Sequence, residues 1–451
     1  MTIHVALDYS FTHTEGAWRR PGSWVGYPYY TRPQMWEDAV RVAERACIDM
    51  IFFGDGQGIP DTWESDIAGA ARHGIEWPRH DMSPLIPVMG RVTDHIGFCL
   101  TYSATFMHPY YIARHMASIA HVVGGPRMAM NLITSARLSD AGNYGFDELL
   151  GHGDRYDRTD EFVDVCRKLW ASVEPEAVVM DPETGVFCDP ERMHYVDHDG
   201  ANWKGRGPLN MLPPPGGDPC VVQAGASPRG LRSFARNTDI VFASRPDAAA
   251  MRTYRATLDG HLGERGRSPK EVLVLWPVYV FVADSMDAAK AQKDEIVNSL
   301  PMEAGRIYMS HKSGFDFSTL PPRFTIAEAV ERIEEKQGST AYLSSFMALG
   351  SGTEPSRDDF CDLGRQAMLG GRPSLVGTPE DIADQLEELH EEVGDGVGYM
   401  IEVKHRMPGL PVDFCEKVVP ILQKRGLYRT DHAGSLRENL GLTPRSDPVT
   451  W

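Results

Sequence analysis

The feature that most constrains this 451-residue chain is an alternation: a short apolar run, a polar or glycine-bearing loop, then a stretch of helical spacing, repeated along the sequence. Ile3–Asp8 reads as a first strand. Pro33–Ala46 has apolar residues at helical intervals and leads into a strand at Met50–Gly54. Helical Pro84–Val92 precedes a strand at Ile96–Thr101, and helical Tyr110–Val123 precedes one at Met128–Ile133. Asp157–Trp170 carries Phe162, Val165, Cys166 and Leu169 on one face, the stripe of an amphipathic helix. The rhythm resumes with strands at Cys220–Ala224, Ile240–Ala243, Val272–Val282 and Gly398–Val403. Between and after them lie helices at Arg229–Ala235, Asp247–Leu262, Ser285–Leu300, Pro379–Val393 and Pro411–Arg425. Alternating β and α elements imply a parallel sheet. Eight such units fit a closed (β/α)₈ TIM barrel, with an open doubly wound sheet as the alternative.

Two segments interrupt the alternation. Residues 171–218 are rich in Pro, Gly and Asp, and residues 301–375 place helical pieces at Ile326–Glu335 and Asp358–Ala367 between Gly- and Ser-rich loops. The chain therefore reads as a single barrel domain over residues 1–451 with insertions at about 171–218 and 301–375. Long excursions of this kind shape an active-site mouth or a subunit contact. A formal charge of −18 argues against nucleic acid or an anionic membrane as partner. Seven dispersed cysteines without a C-x-x-C pair fit reduced thiols. The first residues lack the pattern of a signal peptide and no run reaches the length of a membrane span, so a cytoplasmic location is expected.

In such a barrel, chemistry sits at the carboxyl ends of the strands. There the sequence places Gly54-Asp55-Gly56-Gln57-Gly58, Thr101 to Thr105, Asn131 to Ser135, Gly225-Ala226-Ser227-Pro228-Arg229-Gly230, and Glu402 with Lys404. Each is compatible with an ordinary tight turn. The Gly225 to Gly230 turn, after the fifth strand, is more specific: Ser227 and free backbone N–H groups at a helix start suit a phosphate, or else an ordinary serine cap. His152 and Tyr156, four apart, could reach the same anion. Gly54–Gly58 lacks dinucleotide-binding spacing, no P-loop is present, and Ser227 lies in G-x-S-x-x-G rather than in a nucleophile elbow. His194 and His198 lack an H-E-x-x-H frame, and no metal site emerges. Phosphate-binding turns without a nucleophile or metal leave a cofactor to carry the chemistry.

Taken together, the motifs resemble the flavin-dependent two-component monooxygenases of the bacterial luciferase-like superfamily, in the branch of nitrilotriacetate, dibenzothiophene-sulfone and long-chain alkane monooxygenases. The resemblance spans nearly the whole chain. It is carried by Gly16-Ala17-Trp18-Arg19, Phe52 to Gly56, His108-Pro109-Tyr110, Asn131 to Ser135, His152 to Tyr156, Gln223 to Gly230 and Val376-Gly377-Thr378-Pro379. It implies FMN at the carboxyl end of the barrel, with Asp55, Thr105 and Ser135 along the isoalloxazine side and His152, Tyr156, Ala226 and Ser227 at the phosphate. It further implies FMNH₂ supplied by a separate NAD(P)H:flavin reductase, O₂ as co-substrate, and a homo-dimer or homo-tetramer. The sequence departs from the family pattern at His121, Met130, Ala136 and Ser310-His311-Lys312-Ser313-Gly314, which leaves no histidine assignable to catalysis.

His13, Glu15, Trp18, Trp63, Trp77, His80 and His311 are expected to line a pocket for a small aromatic or heterocyclic substrate. A deazaflavin-dependent oxidoreductase on the same barrel and a flavin-binding protein without catalysis are the alternatives.

Overall fold

The computed structural model describes residues 2–10, 18, 32–336, 338, 352–369, 373–402, 412–446 and 449. Nine parallel strands form its main sheet: β1 Val5–Asp8, β2 Met50–Phe53, β3 Gly97–Ser103, β4 Met128–Ile133, β5 Cys220–Ala224, β6 Ile240–Phe242, β7 Leu273–Val282, β8 Ser374–Gly377 and β9 Val397–Glu402. The order runs β6-β5-β4-β3-β2-β1-β9-β7, and β6 pairs back onto β7 through Ile240–Leu273, Val241–Val274 and Phe242–Leu275. The sheet is thus a closed eight-stranded barrel, which removes the open-sheet alternative.

The ninth strand, β8, lies outside that ring. It pairs with Tyr279–Val282, the far half of the ten-residue β7. The end of the segment expected as an insertion over about 301–375 thus meets an extended, paired stretch at Ser374–Gly377. The signal was short: four residues between Pro373 and the helix-opening Thr378-Pro379.

The helices around the barrel follow from their ends as much as from their faces. They include α1 Pro33–Arg45, α2 Pro109–Val123, α3 His152–Ala171, α4 Pro228–Asn237, α5 Ala248–Glu264, α6 Met286–Asn298, α7 Met302–Ser313, α8 Ile326–Glu335, α9 Arg357–Leu369, α10 Pro379–Val393, α11 Val419–Lys424 and α12 Leu436–Asn439. Proline opens α1, α2, α4 and α10, where its missing N–H costs nothing. Thr378 and Asp381 form a reciprocal capping box on α10. The helix expected from Asp157 begins five residues earlier, at His152, after Gly151. The closing helix expected over Pro411–Arg425 is described from Val412 onward, as a π turn at Asp413–Val418 that runs into α11.

Alternation along the strands sorts side chains into two layers. Ala6, Met50, Phe52, Cys99, Ala129, Cys220, Val222, Ile240, Leu273, Leu275 and Met400 fill the barrel, and Leu436, Leu440 and Leu442 plug its amino-terminal end. The opposite faces pack against the helices in the largest core. Above the apolar filling, the inward positions turn polar at the carboxyl end: Asp8, Thr101, Asn131 and Glu402 are all buried.

Both the loop after β2 and the insertion after β7 leave from that end. Trp63, Ala70 and Ile75 from the first pack with Ile307, Phe317, Phe324 and Phe360 from the second, joined by Tyr279 and Phe281 of β7. The excursion after α3 forms two antiparallel hairpins, Val178–Asp181 with Val186–Cys188 and His198–Asp199 with Lys204–Gly205. It is fastened to α3 by Glu161, whose carboxylate accepts from His198 Nε2 at 3.0 Å and from the Asn202 and Trp203 N–H groups, each at 2.9 Å. His194 is held by a different carboxylate, Glu174, at 2.8 Å. No described helix is long and apolar enough to cross a membrane.

The plug gives a direct test of barrel packing. Leu436→Ala should cost about 2–5 kcal/mol in denaturant unfolding, because the cavity opens in a rigid apolar interior. A loss below ~1 kcal/mol would show that α12 does not complete the core.

Candidate flavin-binding site at the barrel mouth

The residues expected to meet a phosphate come together. Ser227 caps α4, its Oγ accepting the Gly230 N–H at 3.0 Å. The Tyr156 hydroxyl hydrogen-bonds with Ser227. Its ring meets the His152 ring edge to face at 5.2 Å. His152 and Tyr156 lie on the first turns of the 20-residue α3, and Ser227 opens the ten-residue α4. Two helix amino termini therefore converge on one spot, each bringing unpaired N–H groups and the positive end of its dipole. Ala226 is exposed between them.

Glycine is required here for space. A Cβ on Gly230 would lie 2.8 Å from the Tyr156 hydroxyl and 3.0 Å from the Ser227 hydroxyl, and Gly225 has a φ of 142° that side chains avoid. Arg229 packs over the Tyr156 ring at 5.4 Å while bonding to Asp157 at 2.6 Å and Asp160 at 2.7 Å. Burial, with Arg155 and Arg229 nearby, lowers the pKa of His152 and so favours the neutral ring. An anionic oxygen fits this set of donors; a bare cation does not.

Across the mouth lie the residues expected beside a ring system. Ser135 has a positive φ of 40° at the end of β4 and donates its hydroxyl to Ser103 at 2.8 Å. A non-glycine residue in that conformation marks local strain of the kind held at functional sites. Thr105 is buried and donates to the Thr134 carbonyl at 2.7 Å. Asn131 donates to Thr101 at 2.9 Å, and its Oδ1 has no partner among the described residues although it is buried. Burial pushes the Asp55 carboxyl up to about 6, against the pull of Arg79 and of the Gly56 N–H. The mouth thus offers small polar groups on one side and an anion cradle on the other, which is the donor set that a phosphorylated flat cofactor needs.

The residues expected at a substrate pocket come from several loops around the mouth and the cap. His13 and Glu15 lie outside the described residues. Trp18 is exposed, its indole N–H donating to the His73 carbonyl at 3.0 Å. Trp63 is buried in the core of the cap under Arg306, and Trp77 is exposed. Burial lowers the His80 pKa, with Asp81 opposing. His311 is only 1% exposed and bonded to Glu76 at 2.9 Å.

That bond reveals a group which the sequence reading missed. Glu76, from the loop after β2, faces Arg79 at 3.2 Å, Arg137 at 3.4 Å, His311 and Lys312. Arg137 also pairs with Asp140 at 3.0 Å. Burial alone would push the Glu76 carboxyl up, but Lys312, Arg79 and His311 pull it well below its ordinary value. The members come from the loop after β2, the segment after β4 and the last turn of α7, so no spacing in the sequence announces them. The available signal was the run of Ala136-Arg137 directly after the fourth strand's Ser135.

The family described as luciferase-like monooxygenase matches residues 11–396. The chain is 32% identical to a dibenzothiophene-sulfone monooxygenase of Rhodococcus erythropolis (strain XP) over 98% of its length and 96% of the relative's. It is 34% identical to nitrilotriacetate monooxygenase component A of Aminobacter aminovorans, covering 96% and 95% of the two chains. It also superposes on a crystal structure of a riboflavin lyase containing modified FMN and riboflavin, with a TM-score of 0.86, 25% identity and coverage of 98% and 96%.

Asp55 supplies a pH test. A carboxyl raised in the folded state binds its proton more tightly there, so it lowers stability as pH rises from about 4 through about 6. Asp55→Asn should therefore be more stable than the parent above pH 6, by up to ~3 kcal/mol, with the difference vanishing below about pH 4. A variant less stable at pH 8 than at pH 4, relative to the parent, would show that Asp55 is instead stabilised as an anion.

Proposed function

The chain belongs to the luciferase-like monooxygenases, and from that premise we propose that it holds FMN across the barrel mouth. In this reading the phosphate sits at His152, Tyr156, Ala226 and Ser227, and the ring lies beside Asp55, Thr105 and Ser135. The enzyme is an FMNH₂-dependent monooxygenase, the oxygenase component of a two-component system, and a separate flavin reductase supplies its reduced flavin. The observation that carries the site is the convergence of the α3 and α4 amino termini on the Tyr156–Ser227 pair.

Bound reduced flavin supplies the electrons that let one atom of O₂ enter the substrate while the other leaves as water. The chain's own residues do the rest. Ser227 and the α4 N–H groups fix the phosphate end, and Tyr156 braces Ser227 through its hydroxyl. That anchoring leaves the ring end to be set by Asp55 and the strained Ser135. Asp55, with its raised pKa, can hold or release a proton near neutral pH at its carboxyl oxygens. The apolar cap formed by the loops after β2 and β7 excludes water from the mouth, as chemistry with O₂ and reduced flavin requires.

The substrate is read as a small organic molecule taken in between the cap and the ring, with Trp18, Trp63, Trp77, His80 and His311 together with His13 and Glu15 as its surroundings. The relatives act on a sulfone and on an aminopolycarboxylate, so the bond oxidised is a matter of the cap rather than of the barrel. We take the chain to work as one barrel domain over residues 1–451, in the cytoplasm, and as a homo-dimer or homo-tetramer.

The phosphate assignment is tested by Ser227→Ala combined with Tyr156→Phe. The double variant should bind FMN more weakly by on the order of 1–3 kcal/mol, read by flavin fluorescence titration. Unchanged affinity would remove these residues from the cofactor site.

A further inference from the structure

The phosphate cradle holds a buried cation, Arg155, which stands on the first turns of α3 between His152 and Tyr156 and is only 3% exposed. Its guanidinium reaches back past the start of the helix, where Nη1 donates to the Leu150 carbonyl at 2.5 Å. Its buried Nε has no hydrogen-bond partner among the described residues. Among those residues no carboxylate pairs with it either. Burial lowers the Arg155 pKa, with Tyr156 opposing.

A buried cation is costly unless an anion answers it. The position raises the cost, because α3 opens after Gly151 with no side chain capping its first N–H groups. Those groups and the positive end of the helix dipole lie where the guanidinium lies. The acids of α3 are placed elsewhere. Asp154 is exposed and forms no ion pair with Arg155. Asp157 and Asp160 both hold Arg229, at 2.6 and 2.7 Å, and Asp160 also accepts from Ser233 and from Asn237.

The charge of Arg155 is felt where the cradle forms. Together with Arg229 it helps keep His152 neutral, and it pulls against the burial that raises Tyr156, the partner of Ser227. Of the two arginines beside Tyr156, then, Arg229 is matched by carboxylates and Arg155 is matched by a single carbonyl.

We propose that Arg155 is the counter-charge for the FMN phosphate, the residue that makes the cradle select a phosphorylated flavin over an unphosphorylated one. This rests on the reading that the phosphate sits at His152, Tyr156 and Ser227. Tyr156, Ser227 and the α4 N–H groups are neutral donors that give direction, and Arg155 supplies charge. A phosphate monoester carries about −1.5 to −2 at pH 7, so its arrival turns an unbalanced buried cation into a paired one. Riboflavin leaves Arg155 as it is in the flavin-free chain. Two consequences follow: Arg155 lowers the stability of the flavin-free protein, and its contribution to binding depends on the phosphate.

The experiment titrates FMN and riboflavin into the full chain, parent and variants, by flavin fluorescence, and measures the melting temperature of each flavin-free chain. Arg155→Met should weaken FMN binding by about tenfold or more while riboflavin binding stays within about threefold of the parent. Flavin-free Arg155→Met should melt at or above the parent, because an unbalanced buried charge has gone. Arg155→Lys, which keeps the charge, should recover most of the FMN affinity.

Arg155→Met binding FMN as the parent does, weakening of both flavins alike, or a flavin-free variant that melts well below the parent would each overturn the proposal. A parent chain that binds FMN no tighter than riboflavin is a different result. It would remove the phosphate site at Tyr156 and Ser227, and the role of Arg155 with it.

Discussion

Three residue pairs between β6 and β7 close the sheet, and the arrangement of the mouth depends on that closure. Once the sheet is a ring, every second side chain must point inward, and the interior has room only for a packed filling. Phe52, Met50, Leu273 and Met400 occupy the lower part, so the polar inward residues are confined to the carboxyl end. Closure also brings the loops after β2, β4 and β5 around one opening, though they are far apart in sequence. An open sheet with the same strands would not gather Asp55, Ser135 and Ser227 around one mouth.

β7 does two jobs because it is longer than the barrel needs. Its first half pairs with β6 and β9, and its second half pairs with β8 and delivers Tyr279 and Phe281 into the cap. The cap is therefore covalently and conformationally an extension of a barrel strand. Its apolar core gives it rigidity, and the buried Glu76 joins it to the loops after β2 and β4. A buried carboxylate facing several cations is costly to desolvate and adds little net stability.

The barrel was legible because its signals are local. Capping residues such as Thr378 and Asp381, prolines at helix starts and apolar runs of strand length are each set by a few neighbouring residues. Ser227 could be read for the same reason, since a cap and a phosphate cradle use the same serine at the same place. Two things were hidden. Ser374–Gly377 is too short for periodicity to separate a strand from a turn, and its identity depends on Tyr279–Val282 nearly a hundred residues away. The Glu76 cluster depends on closure and on the cap docking, so its members look like unrelated surface charges. His311 shows the difference well: a histidine in a substrate-lining segment by motif, it turns out to be a buried partner of Glu76. Trp63, expected at a substrate pocket, packs in the cap core.

The central claim is that a phosphate-bearing reduced flavin is gripped by the amino termini of α3 and α4. Anaerobic titration of the chain with FMNH₂ and, separately, with reduced riboflavin tests it most directly, because the two ligands differ only in the phosphate. Two or three charge-assisted hydrogen bonds at Tyr156, Ser227 and the α4 N–H groups predict FMNH₂ binding about a hundredfold tighter or more. Equal affinities would contradict the account, because they would mean that the cradle at Ser227 holds nothing.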